Sequence, residues 1–232
     1  MKTYKHIFFD LDHTLWDFET NATETLNEIY SHFSLKEKGI VSVSGFINMY
    51  KSINEKMWDD YEKGKISKEY LRTKRYYKTL LSFGIDDAKL SENIGEYYVS
   101  ESPKKTNLFP ETLETLKYLK EKNYQLHIIT NGFIEVQYLK LNNSGLKTFF
   151  ENIIISEEAG SNKPEKKIFH YALQKANAEK GESIMIGDNL GTDILGAKNS
   201  GIDQCLFNPE KKNHNEKITF EISEIKELRE LF

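Results

Sequence analysis

Two aspartates, Asp10 and Asp12, directly follow the apolar run Ile7–Phe9 near the start of the chain. Successive side chains of a strand point to opposite faces, so both carboxylates serve one site only if the backbone bends there. Carboxylates this close repel each other unless a cation lies between them. The spacing therefore predicts a Mg²⁺ ion and a phosphate group at this strand end. By itself, the pair is also compatible with a turn that carries helix-cap aspartates.

Hydrolysis of a phosphate ester is the chemistry that this pair could perform. It needs a nucleophile in line, an acid for the leaving oxygen and neutralisation of the phosphate charge. Asp10 can attack the phosphorus and form an aspartyl-phosphate that water later cleaves. Asp12 can protonate the departing alkoxide and then accept a proton from the attacking water. Because Mg²⁺ prefers oxygen ligands, we expect Asp10, Asp188 and the backbone carbonyl of Asp12 to bind it.

A second acidic segment contains Gly187, Asp188 and, five residues further on, Asp193. Gly187 allows a close backbone approach where an apolar run ends. A carboxylate at position 188 that is crowded against Asp10 would require a cation. Asp193 can hold a metal-bound water from a second layer of ligands, or it can cap the following helix. Both interpretations of Asp193 stay open at this point.

Two further segments could bind the phosphate itself. Thr130, Asn131 and Gly132 follow an apolar run, and a hydroxyl with backbone N–H groups at such a turn makes a neutral phosphate cradle. Lys163 precedes Pro164 at a predicted helix start, where an ammonium could neutralise the phosphoryl oxygens. Taken singly, the first segment is a common turn and the lysine an ordinary solvated one. We predict that Thr130, Asn131 and Lys163 bind phosphate.

Short apolar runs alternate with helical patterns along the chain, which predicts an α/β fold with a doubly wound parallel sheet. In such sheets the ligand site lies beyond the carboxyl ends of the strands, where Asp10, Thr130 and Asp188 all fall. The predicted strands are His6–Phe9, Leu126–Thr130, Ile153–Ile155, Ile184–Gly187 and Gln204–Phe207, with a possible edge strand at Ile218–Ile222.

The segment from residue 17 to residue 102 contains no convincing strand and is far longer than an ordinary connection. Its apolar residues follow helical spacing. We predict an inserted all-helical cap at 17–102, with the catalytic core formed by 1–16 and 103–232. The predicted cap helices are Asn21–His32, a helix from Val43 to Tyr61, one from Tyr70 to Leu81, and Leu90–Ser100.

Composition limits the other possibilities. A net charge of −4 makes a nucleic-acid polymer an unfavourable partner. Cys205 is the only cysteine, so an internal disulfide and a cysteine-rich metal site are both excluded. The sequence has no apolar run long enough for a membrane span, and Asp10 interrupts the N-terminal run too early for a signal peptide. We expect a cytoplasmic protein without a membrane partner.

The order Asp-x-Asp-x-Thr, Thr-Asn-Gly, Lys-Pro and Gly-Asp-x-x-x-x-Asp resembles the four motifs of the haloacid dehalogenase superfamily. The resemblance covers essentially the whole chain and implies a Rossmann-like core. It implies that Asp10 is the nucleophile, Asp12 the acid and base, and Lys163 the charge stabiliser. Thr130 would then bind the phosphate, and Asp188 with Asp193 would provide the acids on the metal side.

Asp12 resembles the second aspartate of the phosphatases of this superfamily, which the true dehalogenases lack, so the resemblance implies a phosphatase. The first motif and the cap stretch from Trp58 to Arg75 also resemble the bacterial pyrimidine 5′-nucleotidases. Aromatic faces in this stretch could stack a base, and cations could meet phosphate or ribose oxygens. The candidate specificity residues are Trp58, Tyr61, Arg72 and Arg75. A solvated basic helix face is the alternative interpretation of the same stretch.

The sequence therefore predicts a Mg²⁺-dependent phosphomonoesterase whose substrate is a small phosphorylated metabolite, specifically a nucleoside monophosphate. A sugar or glycolate phosphate phosphatase, or a phosphomutase, is the alternative on the same core. A phospho-accepting signalling protein or a protein that only binds phosphometabolites is the non-enzymatic alternative. A monomer and a homodimer are both compatible with the sequence.

Overall fold

The computed structural model describes residues 3–232, in which short strands alternate with helices. The strands are β1 (His6–Phe9), β2 (Gln125–Thr130), β3 (Asn152–Ile155), β4 (Ser183–Gly187), β5 (Asp203–Phe207) and β6 (Phe220–Ile222). The helices are α1 (Phe18–His32), α2 (Val43–Glu62), α3 (Lys68–Leu81), α4 (Ala88–Glu101), α5 (Thr112–Glu121), α6 (Ile134–Asn143), α7 (Ser156–Ala159), α8 (Lys166–Ala176), α9 (Leu195–Ser200) and α10 (Leu228–Leu231). Among the described residues, no helix combines the length and apolarity that a bilayer span requires.

The six strands form one sheet in the order β3-β2-β1-β4-β5-β6, and every neighbouring pair is parallel. The first half of the sheet grows outward from β1 in one direction and the second half grows in the other. The strand order therefore reverses between β1 and β4. In open parallel sheets the crevice outside the carboxyl ends of the strands at this reversal is where ligands bind. The fold class predicted from the sequence is confirmed.

Apolar side chains of the central strands alternate between the two faces of the sheet, as the period of a strand requires. On one face, Ile7 and Phe9 of β1 belong to a core that includes residues of α5, α6 and α10. On the other face, Phe8 and Ile129 pack in a second core with residues of α8 and α9. Burial on both faces explains why these strands are nearly continuous apolar runs in the sequence.

The chain divides into two compact units, one of which is Glu19–Lys105. The other unit contains Thr106–Phe232 together with the N-terminal segment that ends at Phe18. The first unit is all-helical and has its own apolar core. Its helices α2, α3 and α4 begin at N-cap residues whose side chains accept hydrogen bonds from the backbone of the first turn, as short polar residues favour. These caps are Ser42, Ser67 and Asp87.

Three helix starts in the larger unit differ from the sequence-based prediction that Pro110 and Pro164 each open a helix and that a helix directly follows Asp193. Pro110 does not open α5, because Glu111 has a left-handed backbone (φ 63°) and the helix begins at Thr112. Pro164 does not open α8 directly either, because Glu165 is extended. The segment around Asp193 forms one π-helical turn, Leu190–Ile194, before the α-helix begins. Helix α6 was not among the elements predicted from the sequence.

Two buried histidines form a hydrogen-bonded chain near the amino ends of β1 and β2. Asn152 Nδ2 lies 3.1 Å from His127 Nδ1, and His127 Nε2 lies 3.1 Å from His6 Nδ1. His6 Nε2 in turn lies 3.8 Å from Glu182 Oε1. Because the Asn152 amide nitrogen donates, both rings are neutral and carry their hydrogen on Nε2. Burial lowers the pKa of His127 to about 4 and also lowers the pKa of His6.

We expect this histidine pair to make the fold less stable in acid. Between the unfolded pKa of about 6.5 and the folded pKa, the unfolded chain binds more protons at position 127, so stability falls as pH falls through that window. The loss attributable to His127 reaches about 3 kcal/mol near pH 4 and vanishes above pH 7. In urea unfolding, the free energy of unfolding of His127→Gln should fall less between pH 7 and pH 4.5 than that of the wild type. The exposed His170 provides the control, and a wild-type pH slope in His127→Gln would contradict the expectation.

Candidate active site

Asp10 and Asp12 lie at the carboxyl end of β1, immediately before a turn. Asp10 still belongs to the strand ladder, because its backbone N–H donates to Ile186 O of β4 at 2.9 Å. His13 has a left-handed backbone (φ 62°), and its N–H donates to Trp16 O. The chain therefore turns immediately after the two aspartates. Burial is the main cause of the raised pKa of Asp10, and the negative charge of Asp12 makes a small further contribution.

Lys163 is the cation at the centre of the site. Its Nζ donates to Asp10 Oδ1 and to Asp193 Oδ1, each at 2.6 Å, and the side chain is only 3% exposed. Asn131 holds the lysine backbone from both sides, since its Oδ1 accepts from Lys163 N at 2.8 Å and its Nδ2 donates to Lys163 O at 3.1 Å. The Asn131 side chain thus binds the backbone of Lys163, and phosphate binding by Asn131 stays a prediction.

Asp188 follows β4, the strand next to β1, and accepts a hydrogen bond from Thr14 Oγ1 at 3.2 Å. Asp193 is fully buried, and its Oδ2 accepts from the backbone N–H of Asn189 at 3.1 Å. Asn189, rather than Asp193, is the N-cap of the π-helical turn, because its Oδ1 accepts from the N–H groups of the two residues 191 and 192. Asp193 therefore does not cap this turn, and its carboxylate lies beside Lys163.

Gly187 allows Asp193 to lie where it does. A Cβ at position 187 would lie 2.3 Å from Asp193 Oδ2 and 2.4 Å from its Cγ. We expect Gly187→Ala to displace the Asp193 carboxylate and to lower the free energy of unfolding by about 1–3 kcal/mol, as overpacking does. Gly181→Ala is the matched control, because nothing lies within 4 Å of its added Cβ. Equal unfolding midpoints of the two variants in urea would contradict the expectation.

Asp10, Asp188 and Asp193 form a group of carboxylates suited to a metal ion. One oxygen from each lies within 4.8 Å of the others. Lys163 contacts two of them, so when all three are ionised the cluster keeps an excess of negative charge. Burial raises the pKa of Asp10 to about 7 and the pKa of Asp188 and of Asp193 to about 6. A divalent cation with oxygen preference would balance this charge, so the donor set fits Mg²⁺.

Asp12 lies outside that group, and both of its carboxylate oxygens are bound by helix α6. Lys140 Nζ donates to Asp12 Oδ1 at 2.5 Å, and Gln137 Nε2 donates to Asp12 Oδ2 at 2.9 Å. The Lys140 charge and these two hydrogen bonds outweigh burial and hold the pKa of Asp12 below its ordinary value. The carboxylate of Asp12 is thus ionised and fixed in orientation.

Gln137 and Lys140 were missed by the sequence analysis. They lie three residues apart on α6 and face inward with Leu141, whereas Leu139 of the same helix is exposed. The apolar periodicity of α6 is weak, so the sequence does not show which face of this helix points inward. Burial of a lysine is unusual without a partner, and only the structure shows that Asp12 is the partner here.

Thr130 ends β2 close to these groups. Its Oγ1 accepts from Gln137 Nε2 at 2.6 Å and from the backbone N–H of Gly132 at 3.2 Å. A hydroxyl has two acceptor positions and one hydrogen. With both acceptor positions filled, the Thr130 hydroxyl can offer only its hydrogen to a bound group, and an anionic oxygen is what such a donor would bind.

The four candidate specificity residues all lie on α2 and α3 of the helical unit. Trp58 and Tyr61 form an edge-to-face pair with ring centroids 5.6 Å apart. Arg72 is half-buried beside a groove between α3 and α4. Arg75 is 5% exposed and points into the interior of the unit, where it donates to Asn54 Oδ1 at 2.9 Å. Its guanidinium also lies within 6 Å of the ring centroids of three tyrosines, Tyr50, Tyr76 and Tyr98. These contacts give Arg75 a packing environment rather than a surface one.

The fold and the site together define a hydrolase-type α/β core with an inserted helical unit. Residues 7–207 match the model of the haloacid dehalogenase-like hydrolases, and the chain belongs to this family. It is 31% identical over 229 residues to the pyrimidine 5′-nucleotidase PynA of Streptococcus pneumoniae, covering 97% of this chain and 93% of that protein. It is also 31% identical over 228 residues to the pyrimidine 5′-nucleotidase YjjG of Escherichia coli, covering 97% and 96%.

A solved structure gives the same answer for the fold. The HAD-hydrolase YfnB of Bacillus subtilis, crystallised with bound magnesium, superposes with a TM-score of 0.89 at 28% identity. The match covers 99% of each chain. The resemblance inferred from the motifs, to this superfamily and to its pyrimidine nucleotidases, is confirmed.

Proposed function

We propose that this protein is a Mg²⁺-dependent phosphomonoester hydrolase that acts on pyrimidine nucleoside 5′-monophosphates through an aspartyl-phosphate on Asp10. The observation that carries the proposal is the position of Asp10. Asp10 is buried at the end of β1, where the strand order of the sheet reverses, and its Oδ1 lies 2.6 Å from Lys163 Nζ. Its charge also interacts with that of Asp12. The preference for pyrimidine nucleotides is supported by the full-length similarity to PynA and YjjG.

The reaction needs two proton transfers and two attacks at phosphorus. The Asp10 carboxylate attacks the phosphorus, and the bond from phosphorus to the ester oxygen breaks. Asp12 must first take up a proton against its lowered pKa, which the negative charge of the bound phosphate favours, and it then protonates the departing alkoxide. Water then attacks the phosphorus of the aspartyl-phosphate while Asp12 accepts a proton from it. The bond to Asp10 breaks, and the products are the nucleoside and inorganic phosphate.

The remaining residues neutralise and orient the phosphoryl group. The Thr130 hydroxyl is left with a hydrogen to donate to a phosphoryl oxygen. Lys163, which Asn131 fixes through its backbone, supplies a buried positive charge at Asp10. Asp10, Asp188 and the Asp12 backbone carbonyl would hold Mg²⁺, with Asp193 next to them. When bound, the ion supplies charge neutralisation for the phosphoryl oxygens.

Phosphate release from a substrate panel tests the proposal. The panel should contain the 5′-monophosphates of uridine, cytidine, thymidine, adenosine and guanosine, together with ribose 5-phosphate and phosphoglycolate. Each is measured with Mg²⁺ and with EDTA, and Asp10→Asn prepared identically reports any contaminating phosphatase. We expect Mg²⁺-dependent release that is fastest with the pyrimidine nucleotides and is accompanied by stoichiometric nucleoside.

Other results would select the alternatives. Faster release from the sugar or glycolate phosphates would keep the mechanism and replace the substrate. An isomerised phosphate ester without free phosphate would indicate a mutase. A long-lived phosphoprotein without turnover would indicate a phospho-accepting protein, and absence of both would contradict the mechanism itself.

A further inference from the structure

Lys140 is a buried cation that the proposed reaction does not use directly. Its side chain is 5% exposed, and its Nζ lies 2.5 Å from Asp12 Oδ1 and 4.1 Å from the centroid of the Trp16 ring. Burying an ammonium in an ion pair seldom stabilises a fold more than a well-packed apolar side chain would. A methionine of similar length could fill the same space. Stability alone therefore does not account for a lysine at this position.

Gln137 binds the second oxygen of the Asp12 carboxylate. Its Nε2 donates both hydrogens, one to Asp12 Oδ2 and one to Thr130 Oγ1. The reverse amide orientation would place its oxygen against the Asp12 carboxylate, so the assignment follows from charge. The consequence is that Gln137 Oε1 is buried without a hydrogen-bond partner, which is unfavourable.

The surrounding backbone is shaped to this amide. A Cβ on Gly132 would lie 2.3 Å from Gln137 Nε2, so the turn after β2 needs a glycine for the amide to reach Thr130. Two side chains of one rigid helix thus hold both oxygens of Asp12 and connect Asp12 to Thr130. An interaction at each oxygen fixes the plane of a carboxylate as well as its position.

We propose that Lys140 and Gln137 are positioning residues that hold the Asp12 carboxylate in the orientation needed for proton transfer, and that Gln137 also directs the Thr130 hydroxyl. This inference rests on the proposed function of Asp12. Lys140 does not touch the reacting atoms and acts only through Asp12. A small displacement of a reacting group lowers the rate of the chemical step far more than it lowers substrate binding.

A double-mutant cycle with Asp12 tests the role of Lys140. With uridine 5′-monophosphate we expect Lys140→Met to lower kcat by about 10–10²-fold, with KM within about threefold of wild type. Asp12→Asn should lower kcat by about 10²–10⁴-fold, the range for loss of a general acid and base. In the Asp12→Asn background, Lys140→Met should cause no further loss, because the group through which Lys140 acts is absent. Equal losses in both backgrounds, or an unchanged kcat in Lys140→Met, would overturn the proposal.

A second substrate separates positioning from a general structural defect. The second substrate is p-nitrophenyl phosphate, whose leaving group, p-nitrophenolate, departs without a proton. The single-turnover rate of p-nitrophenolate release by Lys140→Met should therefore stay within about threefold of the wild-type rate. A defect of folding would slow this release as well. Tyr138→Phe, on α6 at the bond to Glu158, is the matched control and should keep wild-type kinetics. Lys140→Arg, which retains the charge, should recover part of the lost kcat.

A crystal structure of Lys140→Met distinguishes failure of this inference from failure of the proposed function. We expect the Asp12 carboxylate to rotate away from its wild-type orientation, and an unmoved carboxylate would overturn the positioning role whatever the activity. If Lys140→Met does not fold, Gln137→Leu gives the same readout at the other carboxylate oxygen. A wild-type protein that releases no phosphate would refute the proposed function, while the crystal structure would still decide whether Lys140 positions Asp12.

Discussion

Replacing Asp10 by asparagine should abolish phosphate release while leaving the fold at least as stable. We expect kcat to fall by at least about 10⁴-fold, because the amide is not a nucleophile and no aspartyl-phosphate can form. Asparagine has nearly the same shape, and its Oδ1 can still accept the hydrogen bond from Lys163. The change therefore removes the chemistry with little alteration of the packing.

The expected stability follows from the charge at the site. Burial, with a contribution from Asp193, raises the pKa of Asp10 to about 7 despite the nearby Lys163. Between the unfolded pKa and this value the folded chain binds more protons, so the ionised Asp10 carboxylate destabilises the fold above pH 7. The neutral asparagine removes that penalty. Thermal unfolding at pH 8 in EDTA should therefore give Asp10→Asn a midpoint equal to or above that of wild type.

Activity and stability must be measured on the same preparations for this result to be decisive. A large loss of activity together with a lowered unfolding midpoint would mean that the substitution damages the fold. Retained Mg²⁺-dependent activity in Asp10→Asn would contradict the assignment of the nucleophile. Acid quench of wild-type protein during turnover, followed by mass spectrometry, should detect a phosphoryl adduct that is absent from the variant.

The sheet and the convergence of the motifs could be predicted because both depend on short-range patterns. A strand buried on both faces is a continuous apolar run, and β1 and β4 were recognisable as such. The carboxyl ends of parallel strands lie at one edge, so Asp10, Thr130 and Asp188 had to be near each other once the sheet was accepted. No side-chain geometry was needed for that step.

The contacts that orient the site depend on long-range packing and were not predictable in the same way. Asn131 follows Thr130 in the sequence, but that position does not show that its amide holds the backbone of Lys163, 32 residues away. Lys140 is 128 residues from Asp12 and lies on a helix whose apolar periodicity is weak. Partners this distant are chosen by the fold, and a single sequence records no pairing between them.

The basic stretch of the helical unit shows that residues close in the sequence can have different surroundings in the fold. Arg72 and Arg75 belong to one helix and were given one role from composition. Side chains three residues apart are separated by only about 60° around the helix axis, so the sequence provides no reason to expect different surroundings. Arg75 is buried against three tyrosine rings and Asn54, whereas Arg72 lies half-buried at a groove. A substrate contact by Arg72 stays a prediction, while the Arg75 guanidinium is packed inside the helical unit.

Replacing Lys163 by methionine should have the largest effect on stability of any change in the site. The ammonium is 3% exposed and bridges Asp10 and Asp193 at 2.6 Å each. Without Lys163, the clustered carboxylates of Asp10, Asp188 and Asp193 lose the cation that contacts two of them. Breaking a buried charge pair from one side costs about 3–5 kcal/mol, and we expect a loss of this size in urea unfolding with EDTA. Phosphate release should fall by at least about 10³-fold.

The same charge argument predicts what should restore stability. Mg²⁺ can take the place of part of the missing positive charge, so it should raise the unfolding midpoint of Lys163→Met more than that of wild type. Adding Asp193→Asn should recover part of the lost stability without recovering activity, because it lowers the uncompensated charge but supplies no cation to Asp10. Lys166→Met, at an exposed position at the start of α8, is the control and should change neither quantity. If Lys163→Met were as stable as this control in EDTA, the carboxylates would not need the lysine, and the electrostatic account of the site would be wrong.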